Sequence, residues 1–354
     1  MFISILLFIV LLSVLVLVHE WGHFVVARKA GMCVDAFGIG FPPQIYSWKR
    51  GETVYSINWI PLGGFVKIHG EDDGTNTNDL RSFGAKPILT RMAVILAGVG
   101  MNFICAILLL SFGLWYGVPQ LVNEHMRYPA RDISVSIIRV IPNSPAQKAG
   151  LQIGDVISHV RVAEKEIVIH EPKELQDAVT IAQGAEVTLM IARGKTIIEK
   201  KIIPQVVTTE KEGPLGVMIG KVGIVSIPWY LALFEGIKTA FVLGWLFLSS
   251  FGAMLWQLIT QGTLIAEITG PVGIATLTHQ VSQLGLTYII QFAAIISLNL
   301  AIINILPFPA LDGGRFFFLL IEAIKGSPLS RRYERIAHVA GFIFLMSLML
   351  VVTT

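Results

Sequence analysis

His19, Glu20 and His23 stand at the end of an almost wholly apolar run, Phe2 to Val18, in the order Val18-His19-Glu20-Trp21-Gly22-His23. Residues four apart on a helix share one face, so the two imidazoles can present themselves to one metal ion. H-E-x-x-H on a helix is the arrangement in which two histidines bind zinc and the glutamate acts as general base on a zinc-bound water. Three fixed positions also arise by chance in soluble helices, so the location carries the weight. Ionisable groups inside a membrane span cost about 2.5–3.5 kcal/mol each on insertion scales, and no obvious basic partner stands beside these. Catalytic zinc takes three protein ligands and keeps a fourth position open, so one ligand must come from elsewhere in the chain.

The elements that must position these residues are those of a membrane protein. Of 354 residues, 54% are hydrophobic and 14% charged, which is more apolar than soluble domains usually are. The formal net charge of +3 is small, and the basic residues gather beside apolar segments, so nucleic acid is not an expected partner. Cys33 and Cys105 are the only cysteines, which excludes a Cys-rich zinc site and argues against a structural disulfide. The first apolar run lacks a basic amino-terminal region and leads straight into the charged motif, so it reads as a retained span rather than a cleaved signal. No repeat period or low-complexity tract interrupts the chain.

Arg28, Lys29, Lys49, Arg50, Lys67, Arg81, Lys86 and Arg91 place the loop after the first span on the cytoplasmic side, with His19 and His23 near the inner end of that span. Within the loop, Thr53 to Ile60 alternates in period two and Pro61-Leu62-Gly63-Gly64 turns the chain into Phe65-Val66-Lys67-Ile68. This predicts a β-hairpin whose strand at 53–60, centred on Ile57, offers an edge to an extended peptide. Arg91 to Val118 forms a second span. Asn102, in Gly98-Val99-Gly100-Met101-Asn102, suits helix packing at least as well as a place in the site.

From about Val122 to Gln205 the composition is that of a soluble domain, with strands at 133–141, 155–162, 186–192 and 196–203 and a helix near 172–182. The segment 239–259 is apolar enough to span, but the count of crossings favours a surface or re-entrant segment there. Spans at Leu286–Leu306 and roughly Ile336–Val352 complete four crossings. The inner end of the third carries Asn299, Asn304, Pro307, Pro309 and then Leu311-Asp312-Gly313-Gly314, at the same depth as the two histidines. Topology thus offers Asp312 as the third ligand, against the alternative of an aspartate that merely caps a turn. The amides of Asn299 and Asn304 suit contact with an extended peptide or an oxyanion, or bonds between helices.

HEWGH in a first span, the hairpin loop, Pro142-Asn143-Ser144-Pro145-Ala146 through Leu151-Gln152-Ile153-Gly154-Asp155-Val156-Ile157, and Asn304-Ile305-Leu306-Pro307-Phe308-Pro309-Ala310-Leu311-Asp312-Gly313-Gly314 together resemble the site-2 protease family of intramembrane metalloproteases. The pattern is similar to the bacterial regulator-of-sigma-E protease group, and among these to members with one PDZ-like insert; Arg315 after the glycines departs from the group's pattern. The resemblance implies one Zn2+ ion held by His19, His23 and Asp312, with Glu20 as base. It also implies substrate handling by Gly63 and Gly64 and by Asn299, Asn304, Pro307 and Pro309, to which residue pattern adds Ile57 and Asn102.

The expected fold is an α-helical membrane protein of about four transmembrane helices, with a membrane-associated β-hairpin and an inserted α+β PDZ-like domain. Its expected parts are a first membrane part (1–118), an extracytoplasmic PDZ-like domain (119–208), a linker with a surface segment (209–284) and a second membrane part (285–354). The expected activity is hydrolysis of a peptide bond in a single-span membrane protein, in the inner membrane of a bacterium and in contact with lipid. By resemblance the substrate is an anti-sigma factor after a first cleavage, or a remnant signal peptide, and the PDZ-like domain filters substrates by size. An ion transporter would place such residues near the midplane of an inverted repeat, and a peptide-binding scaffold has no use for Glu20.

Overall fold

The computed structural model describes residues 2–71, 79–122, 128–163, 165–182, 184–194, 196–205, 213–262, 270–327 and 329–353. In order the elements are α1 (Phe2–Lys29), β1 (Val34–Arg50), β2 (Thr53–Ile68), α2 (Ile88–Tyr116), β3 (Val118–Leu121), β4 (Ala130–Val140), α3 (Pro145–Lys148), β5 (Val156–Val162) and β6 (Lys165–Val168). They continue as α4 (Pro172–Ile181), β7 (Val187–Arg193), β8 (Thr196–Ile202), β9 (Val217–Val225), α5 (Trp229–Gln261), α6 (Pro271–Leu284), α7 (Leu286–Ile305), α8 (Asp312–Lys325) and α9 (Arg331–Thr353). They fall into two compact units, one of Met1–Leu110, Gly236–Thr278 and Gln291–Thr354, the other of Ser111–Glu235 and His279–Ile290.

Among the described residues, four helices are long and apolar enough to cross a membrane: Ser4–Lys29, Ile88–Tyr116, Trp229–Gln261 and Leu286–Ile305. The first, second and fourth are expected spans, and the remaining one, 336–352, is helical within α9. The segment at 239–259, expected to lie on or dip into the surface, is the middle of one unbroken helix of 33 residues, α5. At 1.5 Å per residue that is about 50 Å, well beyond the ~30 Å of a hydrocarbon core. A dip into the surface would require the chain to reverse, and it does not.

In the first unit β1 and β2 form more than a hairpin. Gly51, at φ +64°, turns the chain between Arg50 and Thr53, and Tyr46 to Lys49 pair with Ile57 to Val54. Ala36 to Ile39 then pair with Val54 to Ile57 on one side and with Lys67 to Gly64 on the other. The strand at 53–58 is therefore enclosed, which corrects the expectation that Ile57 lies on a free edge: an enclosed strand has no unpaired row of amides to offer. Gly64 to Ile68 is the outer strand beside α1. The sheet follows α1 along its length: the amide of His69 bonds the carbonyl of Cys33 just past the helix, while the Ser13 hydroxyl donates to the Pro61 carbonyl.

The second unit is built on a seven-stranded sheet of order β3-β9-β4-β5-β7-β8, with β6 paired to β5. Val187, Leu189 and Ile191, alternating along β7, are fully buried against Val160, Leu175 and Val179. Ser144 caps α3 by accepting from the Gln147 amide, and Glu171 with Glu174 forms a capping box at α4. Strands and helix at 130–140, 156–162, 187–193, 196–202 and 172–181 match the sequence pattern within a few residues. The expected boundary at 208 is corrected, because the sheet also needs β3 and β9, and β9 lies in what reads as linker. Its Gly220 and Gly223 lower strand propensity, yet a Cβ on Gly223 would stand 2.8 Å from that of Ala130, so the close strand approach demands glycine.

Candidate metal centre

One turn of α1 carries His19 and His23, and their rings meet edge to face with centroids 4.8 Å apart. Both are buried, at 7% and 8% exposure. Asp312, the first residue of α8, lies far closer to them than the sequence separation suggests: its Oδ2 is 2.9 Å from His19 Nε2 and 3.2 Å from His23 Nε2. The two Nε2 atoms are 3.2 Å apart. Tetrahedral zinc with bonds of about 2.0–2.2 Å would hold its ligand atoms roughly 3.3 Å from one another, so the three atoms form one face of such a site.

The donor set also fits in its chemistry. His23 Nδ1 faces the Val94 carbonyl at 2.8 Å, and since a carbonyl only accepts, the neutral ring carries its proton on Nδ1 and keeps a bare lone pair on Nε2. That lone pair points at the buried Asp312 Oδ2, 3.2 Å away. Lone pairs turned on one another in a closed space call for a cation between them.

Helix α2 makes this approach possible. A Cβ on Gly98 would fall 2.2 Å from His23 Nε2 and 2.8 Å from His19 Cε1, so any side chain there would displace the ligands. Gly22 of α1 lies as tightly against the Ala97 carbonyl, where a Cβ would stand at 2.3 Å. Val94, Gly98 and Asn102, spaced by four, thus line one stripe of α2 against the two histidines.

Asp312 is held by its own loop and by α9. Cβ atoms on Gly313 and Gly314 would lie 2.1 Å and 2.3 Å from the carbonyls of Leu306 and Phe308, so both glycines are required for the chain to turn back after α7. Ala310, at φ +78°, donates its amide to His338 Nδ1 at 2.9 Å, and Gly341 lets α9 touch the Pro309 carbonyl. Arg91 of α2 bonds both carboxylate oxygens of Glu322, which ties α8 to α2. Arg315 pairs with Glu71, which gives the departure from the family pattern a structural role.

Glu20 lies within electrostatic reach of His19, His23 and Asp312, and its carboxylate accepts the Val66 amide of the outer strand. Gly64 of that strand approaches the Glu20 side chain, and Gly63, at φ +96°, packs beside Phe41 and Val16. Asn299 and Asn304 are half-buried on α7, and no side-chain hydrogen bond of theirs occurs among the described residues. Pro307 and Pro309 sit in the loop that delivers Asp312. Asn102, expected as a substrate contact, stands beside His19, with Nδ2 3.4 Å from Nδ1. Sequence pattern does not reveal Gly98, His338 or Gly341. The four-residue spacing of Val94, Gly98 and Asn102 is a visible signal, but nothing in the sequence says which helix it faces.

A profile of Peptidase family M50 matches residues 7–348. The regulator of sigma-W protease RasP of Bacillus subtilis is 31% identical over 435 residues, covering 99% of this chain and 97% of that protein. The zinc metalloproteases RasP of Oceanobacillus iheyensis and Shouchella clausii are 30% and 31% identical, over 98% and 99% of this chain and 96% and 97% of theirs. With the three ligand atoms converged beside a glutamate on an apolar helix, the match along nearly the whole chain settles its kinship: it belongs to peptidase family M50 and is an intramembrane zinc metalloprotease of the site-2 protease kind.

Proposed function

We propose that this protease hydrolyses a peptide bond within or near the transmembrane segment of single-span membrane proteins. The observation that carries the proposal is the convergence of His19 Nε2, His23 Nε2 and Asp312 Oδ2 within 2.9–3.2 Å, with both histidines on a helix apolar enough to cross a bilayer. Zinc, when bound there, supplies a Lewis acid and a water of lowered pKa. His19, His23 and Asp312 hold the ion. Glu20 takes the proton from the attacking water and returns it to the leaving amine, with the Val66 amide fixing its carboxylate.

A helical substrate hides its carbonyls in hydrogen bonds and must unwind before cleavage. The outer strand, Gly64 to Ile68, supports backbone pairing of the unwound segment, because among the described residues it pairs with another strand on one side only. Asn299 and Asn304 are the amides that hold the peptide on the opposite side, and Pro307 and Pro309 shape the loop between them and Asp312. Basic residues after α1 and around α8 and α9 favour a cytoplasmic position for the inner ends of α1 and α7, which puts the second unit outside. That unit acts as a PDZ-like size filter; its Ser144 to Asp155 segment, a capped short helix followed by a glycine turn and a strand, supports this. A relative named a regulator of sigma-W protease favours a membrane-bound anti-sigma factor as the substrate, with remnant signal peptides as the second class.

The test is cleavage of a single-span peptide by the purified protein in lipid, with zinc measured alongside. Glu20→Gln should retain zinc and lose roughly 10²- to 10⁴-fold in rate, the usual share of a general base. Unchanged cleavage in that variant would remove the proposed base.

A further inference from the structure

The side chain of Asn102, 1% exposed, has one satisfied end and one unsatisfied end. Its Nδ2 faces His19 Nδ1 at 3.4 Å, while its Oδ1 is enclosed with no hydrogen-bond partner. The backbone carbonyl of Asn102 accepts the Ser297 hydroxyl at 2.8 Å, so α7 fixes this residue's position whichever way the amide turns. The two ends of a carboxamide are nearly equal in shape, and the partner's proton decides which faces it.

His19 has two relevant proton arrangements. With its proton on Nε2, the ring donates to Asp312 Oδ2, 2.9 Å away, and presents a bare Nδ1 to Asn102 Nδ2, 3.4 Å away. With zinc on Nε2, the neutral ring carries its proton on Nδ1, and two donors would then face each other. A half turn of the amide brings the unpartnered Oδ1 opposite Nδ1–H. His23 has no such choice, because the Val94 carbonyl at its Nδ1 can only accept.

We propose that Asn102 is a positioning residue whose amide follows the His19 proton, donating to Nδ1 in the ion-free ring and accepting from Nδ1–H when Nε2 holds zinc. This rests on the zinc site argued above. Asparagine suits the task because it offers a donor and an acceptor from one rigid group, and leucine of similar size offers neither.

Zinc affinity, measured on the full-length protein in detergent by competition with a chromogenic chelator, tests the proposal without relying on cleavage. Asn102→Leu should bind zinc about 10- to 100-fold more weakly, the usual effect of losing a partner behind a ligand. Asn102→Asp keeps an acceptor toward Nδ1–H and should bind within about threefold of the unsubstituted protein. If the residue only packs, the order reverses, because an enclosed carboxylate is tolerated less well than an alkyl group. Leucine binding as tightly as aspartate, or as the unsubstituted protein, would overturn the proposal. Nitrogen-15 spectra of the zinc-loaded, unsubstituted protein need no variant to fold: His19 should show a protonated Nδ1, and an unprotonated Nδ1 refutes the assignment. Absence of zinc from the unsubstituted protein would sink the metal site itself, whereas normal zinc in both it and Asn102→Leu sinks only the role given to Asn102.

Discussion

The two sheets of this protein are made for different solvents. The sheet of the second unit turns Val187, Leu189 and Ile191 inward to full burial and carries ion pairs such as Lys201 with Glu186 on its outer side. The sheet beside α1 does the opposite, exposing Phe41, Ile45, Tyr46, Trp48, Trp59 and Ile60 while its buried polar residues, Ser56 and Asn58, lie within. Asn58 spends its amide on the Gly40 carbonyl at 2.9 Å. An apolar outer face on a strand pair that follows an apolar helix suits contact with hydrocarbon, where aromatic residues near the rim would sit at the headgroups. The comparison teaches that alternation along a strand locates a core only when the solvent is known.

The largest expected effect breaks the water-facing member of the pair. Asp155 is fully buried and bonds Arg193 through both carboxylate oxygens at 2.7 Å and 2.8 Å. Arg193→Met leaves that charge without its partner and should destabilise the second unit by about 3–5 kcal/mol, read as a lowered unfolding midpoint, with zinc content unchanged. A matched substitution sharpens the contrast. Ile45 and Ile197 are both exposed, at 55% and 73%, in the first and second sheets. Ile45→Lys should cost about 2–3 kcal/mol in bilayers if that face meets lipid, whereas Ile197→Lys should stay within about 0.5 kcal/mol. Equal effects in a thermal unfolding assay would erase the distinction between the sheets.

The smallest effect lies at the tip joining β1 to β2. A hydrogen bond from Arg81 at 2.6 Å holds the exposed Glu52 carboxyl below the usual carboxylate range. Its contribution is present above the ordinary carboxylate pKa and is lost as pH falls through the lowered value. Glu52→Gln should therefore shift the unfolding midpoint only slightly at pH 7, and the two proteins should converge in acid.

The convergence of His19, His23 and Asp312 was legible in the sequence because its signals are simple. A helix repeats every 3.6 residues, which puts His19 and His23 on one face, and the basic loops put Asp312 at their depth. What surrounds them was not legible, because glycine at 98 answers to the histidine rings of another helix and glycine at 341 to the Pro309 backbone, neighbours that no local pattern names. The same holds for the sheet beside α1. Period two in Thr53 to Ile60 identified a strand correctly, but the pairing that encloses it, with Ala36 to Ile39, depends on residues 18 positions away. β9 escaped notice for the reverse reason, since the glycines that its neighbours require are those that argue locally against a strand.

His23 is made 289 residues before Asp312. Until the ribosome has delivered α8, the growing polypeptide holds two imidazoles and a glutamate but no third grip on the ion. A peptidase that lives among other proteins' helices thereby lacks the third side chain of its candidate metal centre until α8 has been made.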